Sequence, residues 1–216
     1  MIPKIIHQIW IGDQKKRPAK LIESWINKNP TWNHILWTEN NIYKTINSVQ
    51  YESADELPGK ADILRYSLLY QFGGVFVDAD SECVNGFDDY FVDNDSFCCW
   101  ENEYVRQGLM SNGYLGATRK NTLMGLLVEE VSKMKPEILK NMESITAWKT
   151  TGPVLLSNTV NKYIYNKIKI YPSHYFIPNH YTNLNTYFAD EKNYAKQYWG
   201  STKTINGKVG MQYEYN

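Results

Sequence analysis

The sequence predicts an α/β fold: one domain with an open, twisted, mainly parallel sheet flanked by helices. Three observations carry that expectation. β-rich and helix-patterned segments alternate through the first 80 residues, as βαβ units do. The run Val75-Phe76-Val77 has no polar face, as a strand covered on both sides requires. A length of 216 residues, 43% hydrophobic and 21% charged, suits a single globular domain over residues 1–216. The same sequence is compatible with a place in a longer parent chain.

The elements follow in order. KIIHQIWI (4–11) is a β-rich run. PAKLIESWINKNP (18–30) is helical, with Pro18 suited to a first turn and Pro30 closing it. HILWT (34–38) is a short strand and ENNIYKTINSV (39–49) a weaker helix. GKADILRYSLLYQFGG (59–74) is a strong helix ending at a glycine pair, as a left-handed cap would use. On its wheel Ala61, Leu64, Leu68 and Phe72 form one apolar stripe. VFV (75–77) is then a buried strand and SFCCW (96–100) another. NTLMGLLVEEVSKMK (121–135) is a helix with Asn121 as N-cap. GPVLLSNTVNKY (152–163) is a helix, KIKIYPS (167–173) a strand, and YWGSTKTINGKVG (198–210) reads as loop.

Lys+Arg and Asp+Glu are equal at 23 each, so no bulk field favours nucleic acid or an anionic membrane. Any anionic ligand must be met locally. Three cysteines, Cys83, Cys98 and Cys99, form neither a disulfide framework nor a zinc spacing, and read as buried thiols. The N-terminus lacks a signal-peptide core, and no stretch approaches the ~20 apolar residues of a membrane span. A soluble, reduced, cytoplasmic chain is the expectation.

The chemistry concentrates at KADILRYSLLYQFGGVFVDAD (60–80). Side chains two apart on an extended chain point the same way, so Asp78 and Asp80 converge if the strand geometry persists. Ligands of open α/β sheets bind beyond the carboxyl ends of the strands. Two carboxylates there repel unless a cation lies between them, and Mg²⁺ or Mn²⁺ suits such oxygen donors and a diphosphate. Taken alone, Asp-x-Asp more often marks a solvated turn after a strand. Upstream, Asp62 and Arg65 share a helix face and border the apolar stripe. A ligand, or a structural salt bridge between the two, accounts for that placement.

PKIIHQIWIG (3–12) followed by KADILRYSLLYQFGGVFVDAD resembles the sugar-binding region of Asp-x-Asp glycosyltransferases. It is most similar to glycosyltransferase family 32, of the yeast Och1 type, and shares its pattern with the large clostridial glucosylating toxins. The anchorless form resembles bacterial or large-DNA-virus members such as the first domain of a chlorovirus glycosyltransferase. The resemblance covers about the first 85 residues. It implies a GT-A fold, a nucleotide-sugar donor, Mn²⁺ or Mg²⁺, and retention of anomeric configuration. It also implies roles. Trp10 would stack on the base, Asp62 and Arg65 would hold sugar hydroxyls, Asp78 would contact ribose, sugar or metal, and Asp80 would ligate the metal directly. Asn112, in MSNGYLG, resembles an asparagine near the donor sugar. Thr151-Gly152-Pro153 resembles the family's helix opening near the acceptor, although helix-start chemistry also explains it.

The tail QYWGSTKT (197–204) resembles the His-x-x-Gly-x-x-Lys-Pro-Trp tail of glycogenin-type transferases at Gln197, Gly200 and Lys203. Gln197 replaces the metal-binding histidine and Thr204 the proline. Gly200-Ser201 also matches the Gly-Ser of family 32 tails. Gln197 or Ser201 as third metal ligand, and Lys203 on the diphosphate, are the resulting expectations. Glu101 and Glu103, after SFCCW, are candidates for a base in an inverting enzyme, for steadying the sugar or acceptor in a retaining one, or for solvated carboxylates. The four histidines form no ligand spacing. The expected partners are a nucleotide-sugar donor, a UDP-sugar favoured and a GDP-sugar possible, and a glycan or other hydroxyl acceptor. Two rivals stay open: a phosphatase-like hydrolase, because VFVDADSE superficially resembles the haloacid dehalogenase nucleophile strand, and a non-catalytic nucleotide-sugar-binding module.

Overall fold

The computed structural model describes residues 1–42, 45–140, 144–183 and 191–200, and of residues 144–146 the backbone alone. In chain order the elements are β1 (Ile5–Ile9), α1 (Ala19–Lys28), β2 (Asn33–Trp37), α2 (Ser48–Ser53) and α3 (Leu57–Phe72). Then come β3 (Gly74–Val77), β4 (Ser81–Cys83), β5 (Ser96–Trp100), β6 (Met110–Ala117) and α4 (Thr122–Ser132). The rest are α5 (Pro136–Lys140), α6 (Ser144–Thr150), α7 (Pro153–Lys162), β7 (Ile168–Tyr171) and β8 (Ala195–Gln197). Six strands form one sheet in the order β2-β1-β3-β6-β5-β7, and β4 with β8 makes a separate ribbon. The sheet is mixed but mostly parallel: β1 pairs in parallel with β2 and β3, and β5 with β7, while β6 runs against both neighbours.

Alternation along the strands sends side chains into two cores. Phe76, Cys98 and Leu115 join α3, α4 and α7 on one face. Val75, Val77, Phe97, Cys99 and Tyr114 join Trp25 of α1, Phe91, Phe176 and Tyr194 on the other. Val75, Phe76 and Val77 are each at most 2% exposed, so each contributes about 1.5–3 kcal/mol of burial.

Helix α3 departs from the expected stripe. Every residue from Asp62 to Leu69 is buried, whereas Phe72, assigned to the stripe, is 40% exposed. The helix is wedged between the sheet and α2, α4 and α6, so its middle, residues 62–69, has no face left for solvent, while its ends emerge. Its end is also not the expected left-handed cap. Gly73 has φ 65° with ψ −166°, a region open only to glycine, and Gly74 follows at φ 104°. A Cβ on Gly74 would stand 2.6 Å from the Ile5 carbonyl oxygen, so the pair lets the chain reverse directly against β1.

A helix is expected over 39–49, but the described residues 39–41 and 46–47 form turns, and α2 begins only at Ser48. Asn41 explains the difference: its Oδ1 accepts from Thr38 N–H at 2.7 Å and its Nδ2 donates to Leu36 O at 2.9 Å. That side chain competes with helical hydrogen bonding. The strand β6, buried at all eight positions, has no counterpart in the sequence reading. Its Ser, Asn and two glycines lack a strand's usual signature. Gly116 is there because a Cβ would stand 2.1 Å from the Phe97 ring. Asn121 caps α4 as expected, accepting from Leu123 and Met124 N–H.

Candidate active site

The site lies where β1 sends the chain to β2 on one side and receives β3 on the other, the switch point at which open sheets bind ligands. Helix α3 runs back over β3. Seven helical steps from Arg65 to Phe72 cover roughly 10 Å, and four strand steps from Gly74 to Asp78 return roughly 13 Å. Arg65 therefore meets Asp78: its Nη2 donates to Asp78 Oδ1 at 3.1 Å. The guanidinium also lies 4.0 Å from the centre of the Phe76 ring.

Strand β6 brings a third contributor. Being antiparallel, it pairs Tyr114 with Val77, so Asn112 and Gly113 stand beside Asp78. Asp78 N–H donates to Gly113 O at 3.0 Å. Arg65 Nη1 donates to Asn112 O at 2.6 Å, and Asn112 Nδ2 donates to Asp62 Oδ1 at 2.8 Å. Asp62 Oδ2 accepts from Thr151 Oγ1 at 3.1 Å, and Arg65 Nη1 lies 3.4 Å from Asp62 Oδ1. Tyr66 closes the network: its hydroxyl accepts from Asn112 Nδ2 at 3.1 Å and donates to Thr151 O at 2.8 Å. Two glycines leave room for the acids. A Cβ on Gly113 would stand 2.4 Å from Asp78 Oδ2, and one on Gly152 would stand 3.2 Å from Asp62 Oδ2.

Asp78 and Asp80 do not extend the strand, since β3 ends at Val77 and Ala79 and Asp80 lie in a turn. They still come close enough for the Asp78 charge to push up the Asp80 pKa. The turn is pinned from below. Ser81 Oγ donates to Asp78 O at 2.6 Å, Gln8 Nε2 donates to the same oxygen at 3.4 Å, and Trp25 Nε1 donates to Ser81 O at 3.1 Å. The β4–β8 ribbon sets Gln197 opposite Ser81. Gln197 Nε2 then donates to Asp80 Oδ1 at 3.0 Å, and Gly200 N–H to Asp80 Oδ2 at 2.7 Å.

Electrostatically the site is short of positive charge. Burial raises Asp62 to about 6, more than Arg65, Asn112 and Thr151 offset. Burial and then the Asp78 charge raise Asp80 to about 6, against the donors from Gly200 and Gln197. Burial also raises Asp78, opposed by Arg65, although its side chain keeps 29% exposure. Two carboxylates, Asp62 and Asp78, share one guanidinium, and among the described residues no cation pairs with Asp80.

Most of the expected site residues are thus assembled: Asp62, Arg65, Asp78, Asp80, Asn112, Gly152 and Gln197. Two points differ from expectation, at Gln197 and at the two glutamates. The Gln197 amide faces Asp80 as a donor while its Oε1 accepts from Tyr114 at 2.6 Å, so a ligand role needs the amide to turn over. Trp10 is half-exposed past the end of β1, with Nε1 donating to Asp13 O at 3.1 Å, and no hydrogen bond joins it to the acids among the described residues. Glu103 accepts from Ser173 N–H at 2.8 Å, and Glu101 lies 3.4 Å from His180 Nε2, so neither is a solvated edge carboxylate. Ser201 and Lys203 lie outside the described residues. Sequence reasoning missed Tyr66, Gln8 and Gly113. Tyr66 had the one available signal, a large polar side chain one turn from Asp62 in a helix without a polar face.

The family described as glycosyltransferase sugar-binding region containing DXD motif matches residues 15–97, a span holding Asp62, Arg65, Asp78 and Asp80. Among solved structures, the PaToxG glycosyltransferase superposes with TM-score 0.58 at 19% identity, over 76% of this chain and 70% of that one. A glycosyltransferase involved in glycosylation of the major capsid of PBCV-1 superposes with TM-score 0.54 at 11% identity, over 93% of this chain and 95% of that one. The chain carries a glycosyltransferase sugar-binding region on a GT-A fold. This glycosyltransferase region is also 27% identical over 165 residues to inositol phosphoceramide mannosyltransferase 3 of Schizosaccharomyces pombe, covering 72% of this chain and 44% of the relative. The chain spans about half the length of the curated relatives first matched. Among the described residues no helix is long and apolar enough to cross a membrane.

Proposed function

We propose that residues 1–216 form one catalytic domain that moves a sugar from a nucleoside-diphosphate sugar to a hydroxyl of a glycan acceptor, with retention at the anomeric carbon. The observation that carries this reading is the meeting of Asp62, Arg65, Asp78 and Asn112 at the strand ends, with Asp80 alongside. A donor-sugar pocket needs such fixed, alternating donors and acceptors.

The donor set fits a hard divalent cation. Asp78 and Asp80 are neighbouring carboxylates whose charges oppose one another, and Asp80 is met by neutral donors only among the described residues. Mn²⁺ or Mg²⁺ held there supplies positive charge to the departing diphosphate. Asp80 is the direct ligand and Asp78 the second, with Gln197 and Ser201 the candidates for a third. Lys203 is assigned to the diphosphate. Asp62 accepts from sugar hydroxyls, Arg65 donates to them, and Asn112 and Gly152 shape the wall they rest on. Trp10 takes the base. Glu101 and Glu103 are committed to His180 and Ser173, which favours a course in which the leaving phosphate oxygen takes the acceptor proton. The tail resemblance favours a UDP-sugar; GDP-mannose is the runner-up from the family resemblance, and the mannosyltransferase relative accords with mannose as the sugar. A haloacid dehalogenase-type hydrolase places its Asp-x-Asp on the first strand, whereas here it follows the third.

The test is nucleoside diphosphate release from UDP- and GDP-sugars with Mn²⁺, with and without glycan acceptors. Asp80→Asn is expected to lose at least about a hundredfold in turnover while keeping its circular dichroism spectrum. Near-normal sugar transfer by that variant refutes the scheme.

A further inference from the structure

Beside the donor-side network stands a partly exposed aromatic wall that the reading above does not use. Arg106, from the loop after β5, donates from Nη2 to Tyr181 Oη at 2.7 Å. Its guanidinium carbon lies 5.1 Å from the centre of the Trp148 ring on α6. Tyr181 meets Trp199 edge to face at 5.1 Å, and His180 meets Trp199 at 5.2 Å. Glu101 braces the assembly, 3.9 Å from Arg106 Nε and 3.4 Å from His180 Nε2.

The wall touches the site at both ends. A Cβ on Gly152 would stand 2.8 Å from Trp148 Cα and 3.2 Å from Asp62 Oδ2, so one glycine parts the α6 backbone that carries Trp148 from Asp62. At the other end Trp199 precedes Gly200, whose N–H holds Asp80. Trp199 has φ 59°, a left-handed conformation that bulky side chains rarely adopt. Its Nε1 donates to Asn179 O at 3.1 Å, which fixes the ring while the next N–H is aimed at Asp80.

Arg106, Trp148, Tyr181 and Trp199 are all half-buried, yet held by one another. Rigid aromatic faces that still meet solvent, with a guanidinium beside them, match a pyranose: its C–H faces lie on the rings and its hydroxyls reach Arg106, which Glu101 holds in place. Arg106 and Glu101 offset each other in charge, which suits a neutral ligand over an anion. We propose that this wall is the acceptor subsite and that it takes an uncharged pyranose of a glycan. The proposal rests on the glycosyl-transfer reading.

The test uses methyl α- and β-pyranosides of glucose, galactose and mannose as acceptor probes, with whichever nucleotide sugar the chain consumes. Trp148→Ala is expected to raise the glycoside KM about tenfold while moving the donor KM far less. Trp148→Phe, which keeps an aromatic face, recovers most of that loss. Tyr181→Phe removes only the hydroxyl that Arg106 uses, and is expected to raise the glycoside KM about threefold. Wild-type glycoside KM in all three variants overturns the subsite and leaves glycosyl transfer standing. So does donor consumption with no glycoside accepted, or acceptance of anionic glycosides alone. Failure of the unsubstituted chain to consume any donor overturns the transfer reading, and the subsite with it.

Discussion

Asp80 carries a negative charge that only an amide and a backbone N–H answer among the described residues. Its response to pH follows. With its folded pKa raised to about 6, the folded state holds a proton that the unfolded chain, near the ordinary aspartate value of 3.8, has released. Stability from this group is therefore present below pH ~4 and is lost as pH rises from ~4 to ~6. Asp62, raised to about 6 by burial, adds a loss of the same sign. Asp80→Asn mimics the protonated acid, so in chelator the variant is expected to match the wild type near pH 4. Above pH 6 it should exceed the wild type by about 1–2 kcal/mol, after allowance for partial exposure. Urea unfolding of both proteins at several pH values checks this, and parallel stability curves would remove Asp80 as the source. The Asp78–Asp80 pair was readable because its spacing sits directly after an apolar run. Gln197 was readable only as a possible ligand, because its donor role depends on Tyr114 taking its oxygen, a contact across 83 residues of sequence.

At the scale of elements, Tyr66 ties three of them together. Its hydroxyl joins α3 to Asn112 of β6 and to the Thr151–Gly152 turn that opens α7. The ring is fully buried. Tyr66→Phe keeps the ring and strands the Thr151 carbonyl and one Asn112 proton, so a loss of about 1–3 kcal/mol is expected. Because Asn112 then holds Asp62 less firmly, the donor KM should rise more than kcat falls. Thermal melts together with donor kinetics separate the two effects, and an unchanged donor KM would make Tyr66 purely structural. The elements that the sequence made legible are those with a strong apolar pattern or cap: β1, α1, β2, β3, β5, α7, β7, and α4 with its Asn121. Strand β6 escaped because its glycines answer to neighbours that no local pattern encodes, the Phe97 ring at Gly116 and the Asp78 carboxylate at Gly113. Helix α3 was legible as a helix but not as a central one. Its apolar positions are set by contacts on every side, not by one face.

For the molecule as a whole, the parallel half of the sheet and the site at its strand ends follow from βαβ alternation. The antiparallel β6 and the β4–β8 ribbon depend on pairings distant in sequence. Those later parts bring Asn112 and Gln197 to the acids, so the candidate site is complete only when both halves of the chain are folded. A ligand bridging the site should therefore stabilise the whole cooperative unit rather than one element. Ligand at a hundred times its Kd adds about 2.7 kcal/mol, and for a chain of this size that raises Tm by roughly 5–10 °C. The increment must depend on pH, because cation binding requires ionised carboxylates. At pH 7.5 Asp80, with its pKa near 6, is ionised, and Mn²⁺ with UDP or GDP should give the full shift. At pH 5 about nine in ten Asp80 side chains hold a proton, affinity falls about tenfold, and the shift should shrink by about half. Asp80→Asn should give little shift at either pH. Equal shifts at pH 5 and 7.5, or a full shift in the variant, would mean that the cation and nucleotide bind away from Asp78 and Asp80.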